Sequence, residues 1–264
     1  MKKNLTAILT AAMITGAFTL TASAEESVTV NVTISDGNGQ LAIAQASITA
    51  KDINGDGKVN IDEALYAAHE TEYNGGAAAG YNAYDSDYGR SLGMLWGDDC
   101  GSYGYYVNNA SAMSLDDEIK DDDYINAFCY TDLETWSDTY CYFDRNTAEG
   151  NEITLTLSAA AWDENYNPIT VPVEGAVITM NGEKTDFVTD ADGKVTITAD
   201  EAGRYEISAI SETQTLVPTV CIADITANVE VDSVVSSNPS TGVTLSIMGI
   251  TGAAVAALIS RKRK

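Results

Sequence analysis

Asp52-Ile53-Asn54-Gly55-Asp56-Gly57-Lys58-Val59-Asn60-Ile61-Asp62-Glu63 is the stretch whose spacing decides how the first half of this chain folds. Side-chain oxygens stand at alternate places, Asp52, Asn54 and Asp56, and alternate residues of a tightly turning backbone aim at a common centre. Read as a twelve-position loop, these are positions 1, 3 and 5. Gly57 at position 6 permits the sharp turn, Lys58 would offer its backbone carbonyl, Asn60 would act directly or through water, and Glu63 at position 12 could bind with both oxygens. An all-oxygen set of this kind suits Ca2+, and it would leave Val59 facing a core. The alternative is an Asn-Gly/Asp-Gly turn between a strand and a helix. A turn needs two or three of these residues, whereas a calcium site needs them all.

Over Lys51 to His69 the sequence resembles the EF-hand loop, and more closely its dockerin form, in which Asp-x-Asn-Gly-Asp-Gly-Lys-Val-Asn precedes a helix. Two departures qualify the resemblance. Ala46-Ser47-Ile48-Thr49-Ala50 upstream alternates as a strand does, and Ala64 stands where a bulky apolar residue is usual. A paired EF-hand is therefore not expected. Dockerins carry two such loops and this chain has one, so docking onto a cohesin does not carry over.

The two ends carry export signals. Met1-Lys2-Lys3, the apolar run Leu5 to Leu20 and Ala22-Ser23-Ala24 read as a secretory signal peptide over residues 1–24. At the other end Asn238-Pro239-Ser240-Thr241-Gly242 precedes an apolar run within 243–260 and the basic tail 261–264. This order resembles the cell-wall sorting signal of Gram-positive surface proteins, Leu-Pro-x-Thr-Gly, with Asn238 in place of the Leu. The resemblance implies that a sortase cysteine cleaves after Thr241 and passes the chain to cell-wall peptidoglycan. The apolar run would hold the substrate in the membrane, its basic tail cytoplasmic. A plain C-terminal transmembrane helix is the alternative.

Removing both ends removes six basic residues and no acid. The remaining 8 basic and 39 acidic residues lower the net charge from −25 to about −31. Nucleic acid and anionic membranes are poor partners for such a surface, whereas divalent cations and an aqueous exterior suit it. Export permits disulfides among Cys100, Cys129, Cys141 and Cys221; Cys129 with Cys141 is the first pair to test because the segment between them is short and polar.

Along the chain, Val28, Val30, Val32 and Ile34 alternate up to the turn Asp36-Gly37-Asn38-Gly39, and a second alternating run, Leu41 to Thr49, leads into the loop. Ile61 to Glu72 then places Leu65, Ala68 and His69 at helical spacing, with Asp62 and Glu63 in the first turn. His69, the single histidine, reads as a partly buried helix residue. Tyr73 to Tyr105 shows no sustained period and reads as a long loop or a set of short irregular pieces, a candidate binding surface. Two strands around a polar turn are expected from Gly101 to Asn109 and from Ile119 to Phe128. Around Trp96, Tyr105-Tyr106-Val107-Asn108-Asn109 and Asp122-Asp123 resemble the family related to the C-terminal domain of transcobalamin and intrinsic factor, over roughly Ser27 to Asp144. That resemblance implies a corrinoid or other flat ligand.

From Ile153 the texture changes to short alternating runs, Ile153-Leu155-Leu157, Val177-Ile178-Met180, Val195-Ile197 and Tyr205-Ile207, punctuated by Asn181-Gly182, Asp192-Gly193 and Ala202-Gly203. Gly175 to Gly182, Thr189 to Thr196 and Ala202 to Ile207 resemble the immunoglobulin-like stalk domains of bacterial surface proteins; Asp190 and Asp192 read as turn residues. The expected fold is thus an α+β first domain (25–145), mostly β with one helix after the calcium loop, then an all-β sandwich (151–228) and a linker (229–241). Without a nucleophile near His69, a His-Glu-x-x-His, a phosphate loop or a Gly-x-Ser-x-Gly, no catalytic residue is assigned. The sequence points to a cell-wall-anchored, calcium-binding surface module on a stalk, its ligand a glycan, a protein or a corrinoid.

Overall fold

The computed structural model describes residues 27–226. The signal peptide (1–24), the linker from 229, the sorting motif Asn238–Gly242, the apolar run and the basic tail lie outside the described residues. Among the described residues no helix is long and apolar enough to cross a membrane.

Strands β1 (Ser27–Ser35) and β2 (Leu41–Lys51) form the expected antiparallel hairpin, with Ser27 opposite Lys51. Its turn is closed by the Asp36 carboxylate, which accepts the Asn38 and Gln40 amides at 3.0 and 2.9 Å. After the loop comes α1 (Ile61–Glu72), then a short α2 (Ala77–Gly80) and the hairpin β3 (Asn82–Ser86) and β4 (Gly89–Met94). Residues 73–105 are therefore not one long loop. Asp87 and Tyr88 make the β3–β4 turn, and the short pairings around it lack the apolar alternation by which a strand is recognised. Next come β5 (Tyr103–Val107), β6 (Ala110–Ser111) and β7 (Tyr124–Cys129).

One sheet, in the order β2-β1-β7-β5-β6, carries this half, with β7 parallel to β1. Helix α1 lies on its apolar face: Val30, Val32, Ile34 and Ile48 from the hairpin meet Val59, Ile61, Ala64, Leu65 and Ala68 in one buried cluster. Each large aliphatic side chain withdrawn from water here contributes roughly 1.5–3 kcal/mol. Ala64, the departure from the EF-hand pattern, is fully buried, and its small side chain suits a helix lying directly on a sheet. Gly104 on β5 serves a different close approach, since a Cβ there would lie 2.2 Å from the Phe128 ring.

The second half continues with β8 (Cys141–Phe143), β9 (Thr147–Gly150), β10 (Ile153–Trp162), β11 (Pro168–Pro172), β12 (Val177–Met180), β13 (Glu183–Val188), β14 (Lys194–Ile197), β15 (Gly203–Ile210) and β16 (Cys221–Ile225). Two sheets result. One has the order β11-β10-β14 with β8 also on β10, and the other β13-β12-β15-β16-β9. Between them Leu155, Leu157, Ile178, Ile197 and Ile207 form a second core. Asp190 is a turn residue as read, its carboxylate accepting the Asp192 and Lys194 amides.

The structure differs from the expected boundary at 146–151. Residues 147–150 are β9, parallel to β16, and β8, expected in the first domain, pairs with β10. Both strands are too short for their alternation to show which sheet they join. Residues 27–226 lie in one compact unit. A third cluster, Phe128, Tyr140 and Val217, with Tyr106 and Tyr142 against it, lies between the two cores. Gln45, at φ 46°, reaches across to donate to the carbonyls of Asn146 and Val220 at 3.0 and 2.9 Å.

Candidate functional site

The Asp52–Glu63 loop joins the end of β2 to the start of α1 and is stitched by its own amides. The Asp52 carboxylate accepts from Gly55 at 2.6 Å, Asp56 at 3.2 Å and Gly57 at 2.8 Å. Asn54 Oδ1 accepts the Asp56 amide at 2.8 Å, and Asp56 Oδ1 accepts the Lys58 amide at 2.9 Å. Gly55 and Gly57 sit at φ 77° and 84° with open space beside them, so backbone conformation rather than crowding calls for glycine.

Glu63 ties the two ends together. Its Oε1 accepts the Ile53 and Asn54 amides at 2.7 and 3.3 Å, and its Oε2 accepts the Asn60 amide at 3.1 Å. The Asn60 side chain returns a bond from the Glu63 amide at 3.0 Å, a capping box that starts α1. Glu63 is only 4% exposed, so the carboxylate that closes the loop is also a buried anchor of the helix. Val59 is buried as expected, and its carbonyl accepts the Ile119 amide at 3.0 Å. Lys58 Nζ reaches Glu118 at 3.4 Å between exposed side chains, a contact of little energy.

The groups that would hold a cation are all oxygens; Asp52 Oδ1 and Glu63 Oε1 already accept two amides each, whereas Asp52 Oδ2, Asn54 Oδ1, Asp56 Oδ1 and Glu63 Oε2 accept one each and keep a second lone pair. The donor set fits Ca2+ by its chemistry. Among the described residues no three Asp, Glu, His or Cys side chains converge as a metal cluster; the loop oxygens turn onto the loop amides. Asp62 faces elsewhere. It accepts from Arg90 Nε and from the Tyr81 hydroxyl, both at 2.5 Å. Burial first, and the Asp62 charge second, raise the Tyr81 pKa well above its ordinary value.

His69 is a satisfied core residue. It is fully buried, its Nδ1 lies 2.6 Å from the Leu65 carbonyl, and its Nε2 accepts the Trp96 amide at 2.9 Å. Those two bonds fix the tautomer with the proton on Nδ1 and leave no nitrogen for base catalysis. Burial lowers its pKa. The cysteines are all free: Cys129 belongs to the first core and Cys141 to the second, so the short segment between them does not make them partners.

A second feature went unread in the sequence. A groove of about 760 Å³ runs beside the third cluster, lined by residues from both halves, among them Tyr106, Tyr140, Tyr142, Trp136 and Trp162. Tyr106 and Tyr140 stack with centroids 3.5 Å apart and planes 6° apart. The Tyr140 hydroxyl accepts from Asn126 Nδ2 at 3.1 Å and lies 3.0 Å from Asn109 Oδ1, to which it donates. Trp136 and Trp162 are 64% and 67% exposed. Trp136 also takes φ 52°, a costly conformation for a bulky residue. The sequence signal was two tryptophans in turn-rich segments, Leu133 to Ser137 and Trp162 to Asn167. The 73–105 segment instead packs its Trp96 against His69 and Tyr73.

No family model matches the chain. No curated protein matches it either. Among solved structures it is similar to the N-terminal four Ig domains of Dscam1, isoforms 4.44 and 7.44, each at 6% identity and a TM-score of 0.22. Those matches cover 75% and 76% of this chain but 44% and 46% of the Dscam1 chains, so it spans less than half their length. The D0-D1 domain of intimin aligns at 15% identity and a TM-score of 0.25, covering 75% of this chain and 96% of that one.

Proposed function

We propose that the chain is an exported, wall-anchored surface protein whose two-core unit binds an extracellular glycan in the aromatic groove, with the first core held by Ca2+ at Asp52–Glu63. The observation that carries this reading is the pair of exposed tryptophans, Trp136 and Trp162, on a groove that also offers Asn109, Ser137 and Thr170. A pyranose ring has one apolar face of C–H groups and a rim of hydroxyls. Aromatic faces bordered by amides and hydroxyls complement both. The acidic surface, about −31 over residues 25–241 by the count of charged residues, disfavours anionic glycans and leaves neutral ones.

Calcium would be held by Asp52, Asn54, Asp56, the Lys58 carbonyl, Asn60 and Glu63, and would draw together and neutralise Asp52, Asp56 and Glu63 at the corner between β2 and α1. The reading assigns no catalytic residue. Export and covalent attachment rest on residues 1–24 and on Asn238-Pro239-Ser240-Thr241-Gly242, with a sortase and peptidoglycan as partners. Thr241→Ala should move the protein from a muralytic-released wall fraction to membrane or medium; full detergent release of the native protein would favour a plain membrane helix.

The test of the groove is affinity electrophoresis against a panel of neutral polysaccharides, with cobalamin titrated separately as the flat ligand that the transcobalamin resemblance implies. Trp136→Ala and Trp162→Ala should each weaken retention at least tenfold while circular dichroism is unchanged. Retention that survives both substitutions, or binding of cobalamin alone, would remove the glycan reading.

A further inference from the structure

Cys100 and Cys129 stand apart from the other two cysteines. Cys129 is on β7 and points into the first core, where it is 2% exposed. Its strand position is opposite Tyr103 of β5. Cys100 lies three residues before Tyr103, and Gly101 between them takes φ 75°, a left-handed turn with open space where a Cβ would stand. The kink folds the chain back. Cys100 then packs against the first core with its thiol donating to the Ser102 carbonyl at 3.1 Å, while that carbonyl also accepts the Tyr130 amide at 3.1 Å. The Ser102 carbonyl thus holds the Cys100 thiol beside the amide that follows Cys129, against the core that Cys129 enters.

Cys141 and Cys221 are placed differently. Both are in the second core, the Cys141 thiol donates to the Val217 carbonyl at 3.4 Å, and burial pushes each thiol up to about 12. Both are buried, 1% and 0% exposed, and neither gives an oxidant in solution a first sulfur to reach.

We infer that Cys100 and Cys129 are a disulfide-forming pair that closes once the chain meets an oxidising exterior. Export gives the setting in which such bonds persist, and the oxidant is a disulfide, of a protein or of a small thiol. Cys100, partly exposed where Cys129 is buried, is the sulfur such an oxidant reaches first. Its thiolate attacks one sulfur of the oxidant, forms a mixed disulfide and expels the first thiolate. The Cys129 sulfur then attacks Cys100 Sγ and expels the second. Two protein thiols become one disulfide, one external disulfide becomes two thiols, and the two protein protons end on the leaving sulfurs.

The bond would clamp the segment before β5 onto the middle of the sheet. That segment holds two other elements: the Trp96 amide bonds His69 of α1, and Asp98 accepts the Gly37 amide of the β1–β2 turn at 2.7 Å. Cross-linking fixes all three at once.

Mapping tests this without a substitution. The purified chain is treated with oxidised glutathione, unfolded with alkylating agent present, digested and weighed. The expected result is one linked peptide pair joining Cys100 to Cys129, with Cys141 and Cys221 alkylated. Reductant should then lower the melting temperature by about 5–10 °C, and Cys100→Ser should make melting indifferent to reductant. Alkylation of both Cys100 and Cys129 after oxidation, a glutathione adduct left on Cys100, or a link from Cys129 to Cys141 overturns the pairing.

Discussion

His69 shows at the scale of one residue how position decides chemistry. A lone histidine invites a catalytic reading, but its ring nitrogens are both committed, Nδ1–H to the Leu65 carbonyl and Nε2 to the Trp96 amide. Protonating Nε2 would set a donor against a donor. Since burial lowers the folded pKa, the unfolded chain takes up a proton first as pH falls below the ordinary value near 6.5. The stability tied to the neutral ring is present above that value and is lost as pH falls toward the folded one. Melting temperature should therefore drop between pH 7.5 and 5.5. His69→Leu should melt lower at pH 7.5, by the ~1–3 kcal/mol that an unpaired Trp96 amide costs, yet lose less on acidification. An equal acid loss in both proteins would place the effect among the carboxylates. Asp62 makes the same point: as position 11 it faces away from the loop, but its bonds to Arg90 and Tyr81 give it a structural role that spacing alone did not show.

Elements were legible where they carried a long period or a specific set of donors. The alternation of Val28 to Ile34 and of Leu41 to Thr49 is the β1–β2 hairpin, and Ile61–Glu72 is a helix with the same ends as its pattern. The β3–β4 hairpin was not legible, since Asn82–Ser86 and Gly89–Met94 place few apolar residues on either face. Nor was β9, a four-residue strand whose partner, β16, lies some seventy residues away. Limited proteolysis distinguishes the two boundaries. Proteinase K, which cuts with little sequence preference, should cleave around Leu133 and Trp136, both exposed in a turn-rich segment, before it touches 146–151, where the backbone is paired in a sheet and held by Gln45. Early cleavage at 146–151 would restore the linker reading.

At the scale of the molecule, two cores share an aromatic seam, and the groove opens beside it. None of this could be read from local pattern, because Tyr106, Trp136, Tyr142 and Trp162 come from separate segments that meet only once β8 has joined β10. The loop and the groove are connected through the first sheet. Calcium would fix α1 on that sheet, and the same sheet supplies Tyr106 and, on β7, Asn126, which bonds the groove's Tyr140. Removing calcium should therefore weaken glycan retention as well as stability, and a groove indifferent to chelator would separate the two parts of the proposal.

The central claim for the first core is that Asp52–Glu63 binds Ca2+ in the folded state, and calorimetric melting of the purified chain in EDTA, then in millimolar calcium, tests it most directly. A site that binds only the native state contributes about 2.7 kcal/mol at a hundredfold excess over Kd, or a rise of roughly 5–10 °C for a domain of this size. Glu63→Gln should abolish most of that rise. Asp62→Asn should lower melting in EDTA, through Arg90 and Tyr81, yet keep the calcium-induced rise. Melting of the native chain unmoved by calcium, or a rise that Glu63→Gln leaves intact, would contradict the account.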